Sequence, residues 1–412
     1  MSEENEFEPS RTSKSGIRYF LQENNTFPSL SLGVFVKSGS RYEEPQFRGI
    51  SHLIEHTVFK GTKKRNAFEI SREIEKVGGE INAYTSIEHT VFYVRLLSKD
   101  ACKGFEILSD ILKNPLFQPE LVERERRVVL EEIHEYYDDP QDICQTEALK
   151  SIWGDDPVAN TPLGSEETVK NMRVEDLKSY FSKMFNHHNL FVSVAGDIDD
   201  ITLRSFMDEY FSDFNSNSFE PQVLPPVYHF EERKYEKDTA QIHVAITLKG
   251  SGLFIRENIL DSLFTTVLGG NMSSRLFQRL REDSGLVYTV YAYPVRLSDA
   301  GGTVVYASTT SENLAEVEGI IHKEVEDIRR NGLSKSEFED AKSFVRGNLL
   351  LGLESTSSKM QRNGVQGLFL GKVKRAEKLL DDIDGVSFDK LNNYIESLLD
   401  DGTFGRVVVG KV

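Results

Sequence analysis

The segment Gly49–Thr62, GISHLIEHTVFKGT, carries two imidazoles and a carboxylate within a single helical turn and a half. On a helix, His52 and His56 lie four apart, so their rings project from one face, one turn apart. Two neutral imidazoles at that spacing can bind one tetrahedral ion. Glu55 follows His52 by three positions and lies beside the same face. There it can act on a water at the ion as a base without being a ligand. Leu53, Ile54, Val58 and Phe59 make the rest of the segment apolar, so the helix is expected to be buried. Buried polar side chains require a compensating partner, and a metal is one. A lone histidine reads as an ordinary core or surface residue. Two histidines and a glutamate at this spacing read as a metal site.

A catalytic zinc keeps three protein ligands and one open position, so a third ligand must come from elsewhere. His89, His134 and the pair His187–His188 are available, and their spacing singles out none of them. The charged segment PELVERERRVVLEEIHEYYDD (Pro119–Asp139) offers Glu125, Glu131, Glu132 and Glu135. On a helix, Glu132 stands one turn after Val128 and Val129 and tilts toward the apolar face. Glu131 follows Arg127 and lies with His134 and Glu135 on a more solvated side. This favours Glu132. Glu125, seven residues earlier on the same face, suits an outer partner that orients a ligand.

The elements that must position these groups fall into two similar halves. LGVFVKSGS (Leu32–Ser40) and HVAITLKGSG (His243–Gly252) both read as strands ending in a lysine and small residues. Asp100–Leu112 is patterned as an amphipathic helix, as is the run of Leu314, Val317, Ile321, Val325 and Ile328. Each is followed by a break, Asn114-Pro115-Leu116 and Asn331-Gly332-Leu333, and then by another charged helix. The offsets between corresponding positions, 212 for Lys37 to Lys249 and 217 for Asn114 to Asn331, are nearly constant and suggest a duplicated domain. Strands and helices do not alternate regularly. The expected class is α+β: two homologous domains, each a mainly antiparallel sheet with helices packed against it. NSNSFEPQVLPPV (Asn215–Val227) carries three prolines and reads as a linker. It separates an N-terminal domain, 1–214, from a C-terminal one, 228–412. Under these offsets the metal motif falls on Phe264, Val267 and Leu268, and Glu132 on Leu349, so the second domain has no metal ligands.

The chain has 412 residues, 39% hydrophobic and 28% charged, in keeping with a globular protein. Its 66 acidic and 49 basic residues give a net charge of −17, which argues against sequence-independent nucleic-acid binding. Cys102 and Cys144 are too few for a disulfide framework and are expected to be buried free thiols. The opening MSEENEFEPSRTSKSG lacks an apolar core, so no secretory signal is expected. No window is long and apolar enough for a membrane span, and a cytoplasmic location is the default expectation.

GSRYEEPQFRGISHLIEHTVFKGT, GGEINAYTSIEHTVFYVRLL and ERERRVVLEEI together resemble the pitrilysin-like inverzincin metallopeptidases, in particular the mitochondrial processing peptidase branch and its bacterial relatives. LGSEETV, VAGDID and LGGNMSSRLFQRLREDSGLVYTVYAY extend the resemblance over nearly the whole chain. In that family a glutamate about 76 residues past the second histidine completes the zinc site, a separation that falls on Glu132. An acidic residue one heptad earlier matches Glu125. The resemblance implies one Zn2+ per chain and zinc-dependent hydrolysis of peptide bonds, with Glu55 as the proton-transferring base. It implies substrate binding as an added strand along Asn82-Ala83-Tyr84-Thr85, with Asn82 and Ala83 contacting the peptide backbone. It also implies that Arg281 and Tyr288 hold the substrate, the Tyr288 hydroxyl supporting the oxyanion. Thr57 and Asn271 depart from the residues common in relatives, methionine and glycine. Long-chain relatives enclose unfolded peptide in a chamber of four such domains. A chain with two is then expected to form a homodimer, or a heterodimer with an inactive homologue. The family also includes inactive scaffold subunits. These typically lose part of the zinc motif or the Arg/Tyr pair, and this chain has both.

Overall fold

The computed structural model describes residues 6–400 and 402–411. The chain forms two compact units. The first comprises the chain to Ile133, Thr161–Val223 and Leu350–Ala376. The second comprises His134–Asn160, Leu224–Leu349 and the chain from Glu377.

In the first unit the strands are β1 (Phe7–Pro9), β2 (Arg11–Thr12), β3 (Arg18–Glu23), β4 (Ser29–Val36), β5 (Glu80–Thr85), β6 (Thr90–Leu97) and β7 (Leu190–Gly196). Six of them form one sheet in the order β2-β3-β7-β4-β6-β5, antiparallel except for the β3–β7 pair. β1 pairs separately with Lys372–Lys374. Strands β4 and β7 lie at the centre. SLSLGVFV and LFVSVAG are almost wholly buried on both faces, including the serines Ser31 and Ser193 that they carry. Helices Ile50–Val58, Ala101–Lys113 and Pro119–Asp138 contribute Leu53, Phe105, Leu108 and Val129 to the core with Leu32, Val34, Phe92 and Val194.

The second unit holds β8 (Glu232–Tyr235), β9 (Ile242–Gly250), β10 (Thr289–Arg296), β11 (Gly301–Thr309) and, after β12 (Lys372–Lys374) of the first unit, β13 (Gly405–Val409). Its sheet runs β8-β13-β9-β11-β10, with β8–β13 as its parallel pair. This is the β3-β7-β4-β6-β5 order of the first sheet repeated strand for strand, with the parallel pair in the same place. The α+β class with mainly antiparallel sheets and the internal repeat expected from sequence are both present.

One of the five crossings between units falls between Val223 and Leu224, inside Asn215–Val227, which forms neither helix nor strand. Two helices depart from a division into contiguous halves. Pro140–Trp153 packs on β9 and β13 in the second unit, and Thr356–Leu370 packs on β3, β4 and β7 in the first. Local composition explains how the second of these fits. Side chains at Gly364 and Gly367 would collide with the rings of Phe35 and Phe191, so the helix lies flat on the sheet only because both positions are glycine. Cys144 is buried as expected, and burial pushes its thiol well above the usual range. Cys102 is instead exposed: it lies on the outward face of its helix, its Sγ 3.0 Å from the Tyr210 hydroxyl. Among the described residues no helix is long and apolar enough to cross a membrane.

A candidate metal centre

The helix that carries the two histidines, Ile50–Val58, opens without a side-chain cap of its own. Gly49 precedes it at φ +93, and a Cβ there would lie 2.6 Å from the Leu163 carbonyl oxygen, so glycine is required. The first amides are satisfied from outside. Glu43 accepts from the Gly49 N–H at 2.7 Å through Oε2 and from the Ser51 N–H at 2.9 Å through Oε1. The Ser51 hydroxyl lies 3.1 Å from the Tyr180 hydroxyl and 3.2 Å from that of Ser38. A carboxylate facing two helix-terminal amides fixes where the helix starts and how it is rotated. At Thr57 the hydroxyl donates to the Leu53 carbonyl at 2.8 Å within the helix, away from the metal-binding face.

Glu43 also makes stability depend on pH. Burial pushes its carboxyl up from 4.5 to about 7, outweighing the two amides, the Ser51 hydroxyl and nearby Arg48, all of which lower it. A group raised in this way adds stability below its ordinary pKa and gives it up as pH climbs through the folded value. Wild type is therefore expected to lose about 3 kcal/mol of unfolding free energy between about pH 4.5 and 7 that a Glu43→Gln variant does not lose. Urea unfolding of both proteins across that range measures the difference. Parallel curves for the two would show that Glu43 titrates normally.

His52 and His56 face one another with ring centroids 4.6 Å apart and planes at 73°. Glu132 reaches both from the Pro119–Asp138 helix: its Oε2 is 3.6 Å from His52 Nε2 and 3.5 Å from His56 Nε2. One ligand atom from each residue lies within 4.8 Å of the other two, and among the described residues no other trio of His, Cys, Asp and Glu does so. Burial, and secondarily the neighbouring His56, push His52 down to about 3, so its imidazole is neutral at physiological pH and offers a lone pair. Its Nδ1 is buried with no hydrogen-bond partner among the described residues. Two imidazole nitrogens and one carboxylate oxygen, with no fourth ligand in the group among the described residues, fit a zinc site that keeps a position open.

Glu55 lies alongside. Burial raises its carboxyl above the usual range, and Glu132 adds to the rise; the Thr85 hydroxyl and His56 act against it. Thr85 donates to Glu55 Oε2 at 2.6 Å. This contact was not legible in the sequence, because the two residues are thirty positions apart and only the sheet brings them together. Thr85 ends β5, which pairs with β6 alone and forms the edge of the sheet. Asn82 and Ala83 lie on that strand, with Asn82 exposed and its side-chain oxygen accepting from the Ala83 N–H at 2.8 Å. Tyr84 is anchored by donating to Gln361 Oε1 at 2.6 Å.

Glu125 is buried, 3.5 Å from His56 Nδ1 through Oε2. The helix-face reasoning for Glu132 holds only in part: Val129 is fully buried, whereas Val128 is 41% exposed. The other histidines lie elsewhere. His89 Nδ1 is 3.1 Å from the Ser86 hydroxyl, His187 Nδ1 is 3.2 Å from the Asn215 carbonyl, and His134 is exposed. Thus the first unit gathers His52, Glu55, His56, Glu125, Glu132 and the edge strand 82–85. The second unit gathers Arg281 and Tyr288, with the guanidinium 4.8 Å from the Tyr288 ring centre and 5.0 Å from that of Phe277. Tyr288 is 74% exposed, so this pair presents a free phenol beside a cation. Phe264 and Leu268 are fully buried and Val267 nearly so, filling the second unit's core where the first unit has its histidine face.

Two family models match successive parts of the chain. Residues 18–166 match the model for insulinase (peptidase family M16), and residues 171–345 match that for the peptidase M16 inactive domain. An uncharacterized zinc protease of Bacillus subtilis, YmxG, is 34% identical over 94% of each chain. One of Rickettsia felis is 31% identical over 96% of each. Two solved structures share the fold. A peptidase M16 inactive domain from Pseudomonas fluorescens has a TM-score of 0.91 at 16% identity, covering 98% of both chains. A protease from Helicobacter pylori has a TM-score of 0.86 at 20% identity, covering 98% of this chain and all of that one. With full-length relatives above 30% identity and both halves matched, the chain belongs to peptidase family M16.

Proposed function

We propose that the chain is a zinc-dependent endopeptidase of the mitochondrial processing peptidase type, acting on unfolded peptides or precursor segments. The observation that carries this reading is the convergence of His52 Nε2, His56 Nε2 and Glu132 Oε2, with Glu55 beside them and no fourth ligand among the described residues. Zinc held by these three residues would supply Lewis acidity to the scissile carbonyl and make water a nucleophile near neutrality. Glu55 takes the proton of the attacking water and returns it to the leaving amine. The Thr85 hydroxyl holds one Glu55 oxygen, which orients the carboxylate for that transfer.

The free edge of β5 favours extended substrates. A peptide pairing with the backbone at Asn82 and Ala83 must lie as a strand, which a compact protein cannot offer. Arg281 and Tyr288 bind the substrate and stabilise the oxyanion. Arg281→Ala and Tyr288→Phe are expected to lower kcat/KM by roughly ten- to a thousandfold, the range for losing a positioning or oxyanion donor. Zinc content should stay the same. Wild-type kinetics in both variants would remove these residues from the mechanism.

The match of residues 171–345 to an inactive-domain model does not weaken this reading, because the ligand set lies wholly outside that region. The active species is a homodimer, with a heterodimer as the alternative. Light scattering is expected to give a mass near twice 46.8 kDa. An active monomer would overturn the assembly. Zinc analysis of the purified protein, combined with turnover of a quenched-fluorescent peptide library, tests the function as a whole.

A further inference from the structure

We propose that Lys60 is a positioning residue for the metal centre, acting on His56 through Glu125. The inference rests on the zinc-site reading and extends it to a residue with no contact to the ligand atoms.

Lys60 stands just past the end of the histidine helix, its N–H donating to the Thr57 carbonyl at 3.1 Å. Gly61 follows at φ +148 and turns the chain away, where Thr62 bridges to Pro115. The lysine is thereby held at the helix end. Its Nζ lies 3.0 Å from Glu125 Oε2. The same oxygen is 3.5 Å from His56 Nδ1. The Glu125 side chain is only 7% exposed, so its charge needs compensation within the protein, and Lys60 is the cation that provides it.

The consequence falls on the imidazole. A carboxylate fixed beside Nδ1 favours the tautomer with its proton on Nδ1 and its lone pair on Nε2. Nε2 is the nitrogen that faces Glu132. His52 has no such support, since its Nδ1 is without a partner among the described residues. The two histidines are therefore unequal. His56 is the oriented ligand, and the chain Lys60–Glu125–His56 is what orients it. A lysine near a dication also opposes binding by charge repulsion. In contact with Glu125 most of that charge is cancelled, so the orienting effect is expected to prevail.

Chelator competition on the whole protein provides the test, with zinc alone as the probe. Lys60→Met is expected to weaken zinc binding by about 10- to 100-fold, the range for losing an outer partner of a ligand. Lys60→Arg, which restores the cation, should recover affinity to within about threefold. In a Glu125→Gln background, Lys60→Met should add nothing, because its route to the metal is already cut. Lys60→Met leaves the buried Glu125 carboxylate without its counter-charge, so its zinc-free melting temperature is expected to fall, whereas Lys60→Arg should melt like wild type. Affinities are compared at a temperature where all the proteins are folded, which separates orientation from folding. Lys60→Gln gives the same reading if the methionine variant fails to fold. Unchanged affinity in the charge-free variants, or losses that multiply in the double variant, would overturn the proposal. Wild type that takes up no zinc would instead bring down the ligand set itself, a distinct failure.

Discussion

Glu55→Gln is expected to keep about one zinc per chain and to lose kcat by roughly 10²–10⁴-fold, the contribution of a general base or acid. Glutamine has the volume of glutamate, and its carbonyl can still accept from the Thr85 hydroxyl. The buried wall beside His56 and β5 is therefore preserved. What disappears is the capacity to take a proton from water and return it to an amine. Because Glu55 is not among the three converging ligands, metal content should not follow activity. Because substrate pairing is assigned to β5, KM should change little, and the loss should appear in kcat. Thr85→Val supplies a graded comparison. It leaves the base in place but frees it from its 2.6 Å restraint, so its loss should be smaller than that of Glu55→Gln. Zinc analysis and steady-state kinetics on one peptide decide the matter. A Glu55→Gln enzyme with near wild-type kcat would exclude Glu55 as the proton carrier.

The parts of this site that sequence could show are those encoded by helical spacing. His52, Glu55 and His56 share a turn, so their common face follows from 3.6-residue periodicity alone. Glu132 was within reach because Val129 marks a buried face, although Val128 on the same turn proved exposed. Contacts made through the sheet were not legible. Thr85 meets Glu55, and Tyr84 meets Gln361, only because β5 pairs with β6 beside the histidine helix and because Thr356–Leu370 covers the sheet. No periodicity connects such residues. The same limit applies to the fold. The repeat was visible in paired strands and breaks, since each unit must solve the same packing problem with the same pattern. The placement of Pro140–Trp153 and Thr356–Leu370 was not, because the buried residues of neither helix identify the sheet that covers them. What selects the partner is shape. Gly364 and Gly367 admit the rings of Phe35 and Phe191, a complementarity between residues more than 170 positions apart.

Glu132→Ala should remove the metal while leaving the fold. Glu132 Oε2 is the atom that faces both ε nitrogens, and it arrives from a separate helix. Its loss leaves a two-histidine site. The expected fall in zinc affinity exceeds the roughly 100-fold that marks removal of an outer partner. Stability of the zinc-free protein is a separate matter. His52 is held neutral, with its pKa pushed down to about 3, so its burial needs no counter-charge from Glu132. The Glu132 side chain is itself 37% exposed, so deleting it leaves no large buried void. Zinc-free wild type and Glu132→Ala should therefore melt at similar temperatures. They should diverge when zinc is added. At free zinc about 100 times its dissociation constant, wild type gains about 2.7 kcal/mol of stability, and the variant gains almost none. Thermal melts with and without zinc, together with chelator competition, measure both quantities. If Glu132→Ala retained wild-type affinity, the third ligand would have to lie elsewhere. Glu125, 3.5 Å from His56 Nδ1, would then be the first residue to test.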